Sequence, residues 1–119
     1  MPRPTNINLH QKTRILEIEF DDGKSFKYTC EFLRVHSPSA EVTGHSPGQE
    51  KLQVGKADIA ITAVEPVGLY AIKLVFDDSH DTGLFTWTYL YDLGVNYEAR
   101  WENYLKRMKD AGAKRGAGY

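Results

Sequence analysis

Apolar and polar residues alternate with a period of two through the first part of the chain. Ile7 and Leu9 share one side of residues 6–10, which predicts a short strand. Leu16, Ile18 and Phe20 face one way over residues 14–20, with Glu17 and Glu19 facing the other. Asp21-Asp22-Gly23-Lys24 supplies a hairpin turn, because Asp-Gly tolerates the positive φ that such turns need. Residues 25–28 return as a partner strand with Phe26 and Tyr28 on one face. Thr29 is placed to cap a short helix over 31–35, its hydroxyl accepting from a first-turn amide. Residues 37–53 are rich in Ser, Pro, Gly and Glu and read as one long loop.

Alternation resumes at Ile59, Ile61 and Ala63 and ends at Glu65-Pro66. Residues 70–76 are the strongest strand signal, joined to the preceding strand by a turn over 66–69. The period then changes. Thr86 is expected to cap a helix over 87–93 that Gly94 stops. Asn96 is expected to cap a last helix from Tyr97 to about residue 111, with Tyr97, Trp101, Tyr104, Leu105 and Met108 at helical spacing. Residues 114–119 are expected to fray. Strands first and helices last predict an α+β fold in two layers: a mainly antiparallel β-sheet with hairpins, short helices and a C-terminal helix.

The 119 residues suit a single domain, 1–119 with a core of about 5–112. A net charge of −1 argues against a generally basic nucleic-acid binder. No apolar run approaches the roughly 20 residues a membrane-spanning helix requires, and the N-terminus lacks a signal peptide's apolar stretch. The single cysteine, Cys30, permits no intrachain disulfide and fits a reducing compartment. The expected location is therefore the cytoplasm, with neither nucleic acid nor membrane as partner.

Candidate chemistry is concentrated in residues 77–83, Asp-Asp-Ser-His-Asp-Thr-Gly. One reading is a turn, in which Asp77 or Asp78 bonds local amides and Gly83 takes an awkward backbone conformation. The other is a site, in which His80 with Asp81 or Asp78 binds a metal or acts as general base. His36 and His45 add two imidazoles from a polar loop, so three histidines lie outside the strands. Cys30 begins a helix, where the dipole lowers a thiol pKa, but it also reads as a small buried apolar residue. Trp87, Tyr89, Tyr91, Tyr97, Trp101 and Tyr104 are expected to pack in the core. The basic residues near 106–115 complement the last helix's dipole. No nucleophile or oxyanion-stabilising partner can be named, so no catalytic residue is assigned.

Two stretches resemble the gamma-butyrobetaine hydroxylase-like N-terminal domain, also catalogued as domain of unknown function 971. One is Phe32-Leu33-Arg34-Val35-His36-Ser37-Pro38-Ser39-Ala40-Glu41-Val42. The other runs from Val67-Gly68-Leu69-Tyr70-Ala71-Ile72 through Phe76-Asp77-Asp78-Ser79-His80-Asp81-Thr82-Gly83 to Leu84-Phe85-Thr86-Trp87-Thr88-Tyr89-Leu90. The likeness spans roughly residues 4–112. In the hydroxylases the domain resembles a zinc module held by a Cys-Pro-Cys-x-x-Cys cluster and the histidine of the second motif. Carried over, those positions are Ser37, Ser39, Val42 and His80, and only the histidine remains. Ser79 also departs from the family's usual glycine.

The resemblance therefore implies no zinc site of the family type and no expected cofactor. A fallback set for zinc or iron is His80 with His36, His45, Glu41 or Asp81. The domain also occurs fused to scaffold ATPases of iron–sulfur cluster assembly. That implies a link to iron–sulfur or metal handling, with an iron–sulfur assembly factor as a candidate protein partner, while the single domain, the lack of a convergent catalytic set and the vacated zinc positions point to a small non-enzymatic accessory or interaction module. The expected partner face is loop 36–49 with turn 77–83. The alternative is a metal-binding protein using His80.

Overall fold

The alternation in the N-terminal part closes into a three-stranded antiparallel sheet. Its strands are β1 (Pro4–His10), β2 (Ile15–Phe20) and β3 (Ser25–Thr29), in that spatial order. The computed structural model describes residues 2–38, 53, 55–80 and 83–112. Register sets Ile7 opposite Ile18, Leu9 opposite Leu16, and Leu16 opposite Tyr28, so one face is apolar. The expected turn joins β2 to β3, with Gly23 at φ +86° and the Lys24 amide donating to Asp22 Oδ1 at 2.9 Å. Thr29 caps α1 (Cys30–Val35) as expected, its hydroxyl accepting from the Phe32 amide at 3.1 Å.

A second three-stranded antiparallel sheet holds β4 (Ile61–Val67), β5 (Ala71–Phe76) and β6 (Leu84–Thr86) in that order. Its strands differ from the expected ones for identifiable reasons. Ile59 is buried but precedes β4, because its amide closes a turn onto Lys56 O. The strand instead runs on through Pro66, which the sheet edge accepts because a missing N–H there breaks no ladder bond. The turn into β5 falls at residues 68–70, with Gly68 at φ +58°. β6 is three residues long and directly follows the polar segment, too short to show a period.

Thr86 caps α2 (Trp87–Val95), accepting from the Tyr89 amide at 3.1 Å. Gly94 does not stop this helix: it lies within it, where a Cβ would fall on the Phe26 ring. Asn96 makes no side-chain cap for α3 (Tyr97–Asp110). Its amide group instead donates back to Asp92 O and Oδ1, at 3.1 and 2.9 Å. Leu105, expected inside, is exposed, while Tyr104 and Met108 of the same helix are buried against Val35.

The main core lies between the two sheets and under α1 and α2. It joins Leu16, Ile18, Phe20 and Tyr28 to Ile61, Ile72, Leu74, Phe76 and Phe85, with Phe32, Leu33, Leu90 and Leu93 from the helices. Each such leucine, isoleucine or phenylalanine contributes about 1.5–3 kcal/mol by leaving water. Tyr28 crosses this core, and its hydroxyl donates to Leu90 O at 2.7 Å. No helix among the described residues is long and apolar enough to cross a membrane.

Candidate functional site

The segment after β5 is a tight turn. Ser79 N–H donates to Phe76 O at 3.1 Å, and Phe76 N–H donates to His80 O at 3.0 Å. Asp78 Oδ1 accepts from the His80 amide at 3.1 Å, which is the local carboxylate–amide bond expected of a turn. The strained residue is not Gly83, as expected, but Ser79, at φ +70°. Gly83 is required by space: a Cβ there would run into Ser37 Oγ.

The other carboxylate oxygen of Asp78 binds two cations. Arg34 Nε donates to Oδ2 at 2.9 Å and Lys56 Nζ at 2.7 Å. Burial opposes ionisation of Asp78, but Lys56, the His80 amide and Arg34 outweigh it and hold the carboxyl down at about 2. Arg34 is itself buried, and its guanidinium also reaches Gln53 Oε1 at 3.1 Å. One ion-pair cluster thus ties α1 to the turn and to the segment before β4.

Beneath this cluster lies the polar corner. Ser37 and His80 are both buried, and Ser37 Oγ is 2.9 Å from His80 Nε2. Two positions carried over from the family's zinc set therefore do meet in space, as a serine–imidazole hydrogen bond. Ser39 and Val42 lie outside the described residues, as do His45, Glu41 and Asp81 of the fallback set. Among the described residues, no group of three His, Cys, Asp or Glu side chains is arranged to hold a metal ion.

His36 departs from its expected place in an open polar loop. It ends α1 half-buried, its ring stacked on Phe32 at 4.3 Å. Its Nδ1 is 2.8 Å from Phe32 O, and because a carbonyl only accepts, Nδ1 carries the proton. Burial lowers the His36 pKa below its usual value; the Phe32 carbonyl opposes this, while Arg100 and Arg107 add to it. Tyr97 covers the other face of Phe32 at 4.1 Å, and Tyr89 Oη donates to His36 O at 2.6 Å. The aromatic residues are thus packing and hydrogen-bonding groups of the fold.

Cys30 is buried, and burial pushes its thiol pKa up, outweighing the Ile61 backbone contact and the Arg14 charge. The reading as a small apolar residue describes it. Sequence reasoning missed Arg34 as a structural ion. The signal was present: a six-residue helix reading Cys-Glu-Phe-Leu-Arg-Val leaves little room for a solvent face, and all six residues are buried. Lys56 carries no comparable signal.

Fold and corner together define a small two-sheet α+β domain whose histidine turn is braced by an ion pair and closed by a serine. The chain belongs to the gamma-butyrobetaine hydroxylase-like N-terminal domain family, whose sequence model matches residues 7–91. Two solution NMR structures are similar to it. One is 47% identical with a TM-score of 0.85, covering 97% of this chain and 90% of the other. The second is 52% identical with a TM-score of 0.83, covering 97% and 86%. A crystal structure of an Acidithiobacillus ferrooxidans protein of unknown function in the DUF971 family is also similar. It is 36% identical with a TM-score of 0.66, over 77% of this chain and 92% of that one. No curated protein gives a match.

Proposed function

We propose that the chain is a small non-enzymatic accessory domain that acts by binding another protein. The observation that carries this reading is the run of large apolar side chains turned to solvent at the β4–β5 turn. Leu69 is 84% exposed and Tyr70 62%, with Val67 at the end of β4 also exposed. Apolar groups gathered on one edge mark an interaction site more often than isolated ones do. The polar corner supports the same reading from the other side. Ser37 is fully buried and hydrogen-bonded to His80, and Asp78 is taken up by two cations, so these groups are committed to holding the fold.

We take the β4–β5 turn as the partner face; of the face expected from the sequence, residues 39–49 and 81–82 lie outside the described residues. Family kinship makes an iron–sulfur assembly factor the first partner class to test, and any metal handling enters through that partner. A pull-down with the tagged full chain tests the reading. We expect one protein to be captured reproducibly, with capture lost for Leu69→Ser and Tyr70→Ser and retained for Lys27→Ala. Equal capture by all variants overturns the reading, as does turnover by the purified protein in a broad hydrolase and hydroxylase panel.

A further inference from the structure

The exposed apolar turn lies beside a groove. Pro4, Ile7 and Leu9 of β1 form one wall, and Val64, Pro66 and Ile72 of the second sheet form the other, with Trp87 between them; the groove is about 400 Å³. None of these seven lining residues carries a charge. A neighbouring hollow continues it past Leu69 and Tyr70 to Arg3. The groove is thus the open mouth between two sheets, bounded by the edge strands β1 and β4.

The two edges are not equivalent. β4 is interrupted by Pro66, which has no N–H to give, and by an irregularity between Ile61 and Ala63. β1 is seven residues long and pairs only with β2 among the described residues. Beyond its bulge at Pro4–Asn6, alternate residues direct N–H and C=O groups away from β2. A strand added there would hang every second side chain over the uncharged groove. At one end it would meet Arg3, whose guanidinium makes no ion pair among the described residues.

We propose that this groove takes an extended segment of a partner protein, added as a strand to β1. The segment carries apolar residues at alternate positions and an aspartate or glutamate at the end that faces Arg3. The ladder edge of β1, unpaired among the described residues, fixes the extended conformation, the groove fixes the alternation, and Arg3 fixes the sign of the charge. This rests on the protein-binding reading above and adds to it the chemistry of the bound segment.

The test is to pan a random heptapeptide library against the full chain and measure the affinity of the selected peptides by fluorescence polarisation. We expect apolar residues at i, i+2 and i+4 with an acidic residue at one end. Arg3→Glu, a surface change, should weaken binding about threefold to fivefold, as an exposed ion pair predicts, and should select basic ends instead. N-methylation of the alternate peptide amides that face β1 should abolish binding, while methylating the other set should not. The proposal is overturned by failure to enrich, by apolar spacing of three and four residues, by indifference to Arg3→Glu, or by equal effects of the two methylation sets. A concentration-dependent dimer that Leu69→Ser dissolves would also overturn it, because a second copy would then fill the groove. If panning fails while capture of a partner still depends on Leu69, the accessory reading stands and only the strand-addition model falls.

Discussion

Ser37 and His80, 43 positions apart in sequence, meet through a 2.9 Å hydrogen bond in a buried corner, and Gly83 leaves the space for it. The pair joins the end of α1 to the turn after β5. Its stability rests on three residues at once, since any side chain at position 83 would occupy the hydroxyl's place.

Gly83→Ala should therefore destabilise the protein by about 1–3 kcal/mol, the cost of overpacking a closed site. Thermal unfolding measures it. Adding Ser37→Gly should recover part of the loss, because the atoms nearest the new methyl group include Ser37 Oγ and Cβ. A double variant as unstable as the sum of the two singles would show that the corner is not what Gly83 protects.

Asp78→Asn removes the anion between Arg34 and Lys56. Arg34 is buried but keeps Gln53 as a partner, and the Asp78 side chain is 23% exposed, so the loss should be about 1–3 kcal/mol, less than for a fully enclosed pair. The pH dependence has a definite sign. The folded carboxyl titrates at about 2, below its unfolded value, so its stabilisation is complete above about pH 5 and fades as pH falls towards 2. Urea titrations at pH 7 and pH 3 should find the wild type and Asp78→Asn closer in stability at the lower pH.

His36 should add acid sensitivity in a higher window. Its folded pKa lies below 6.5, so its contribution is present above that value and is lost as pH falls through the lowered folded pKa. His36→Phe keeps a ring against Phe32 and removes the titrating group. The melting temperature of the variant should fall less than that of the wild type between pH 7.5 and pH 5.

Leu69→Ser should leave the unfolding free energy nearly unchanged, within about 0.5 kcal/mol, since the side chain is almost wholly in water. The same change should weaken partner capture. A large loss of stability would mean that Leu69 serves the fold.

The strands and caps were legible because each rests on local chemistry. Leu16, Ile18 and Phe20 alternate because one face of β2 is buried, and Thr29 and Thr86 stand where a first helical turn needs an acceptor. Two glycines were misread because their reasons are distant in sequence. Gly94 makes room for Phe26 and Gly83 for Ser37, and neither neighbour is visible from the flanking residues. Asn96 has a cap's composition, but Asp92 competes for its side chain and wins. At the site, the residue-by-residue transfer named Ser37 and His80, which are hydrogen-bonded, while Ser39 and Val42 lie outside the described residues. It said nothing of Arg34 and Lys56, whose roles arise only when α1 and the pre-β4 segment converge on Asp78.

The hydroxyl of Tyr28 reaches the carbonyl of Leu90 across 62 positions. On a ribosome, the N-terminal sheet emerges well before the helix that covers it. Its apolar face, Leu16, Ile18, Phe20 and Tyr28, shares a core with α1, β4 and β5 and is closed last by Leu90 and Leu93. The core therefore closes only once segments far apart in the sequence have all been made, a non-local topology of the kind that slows folding.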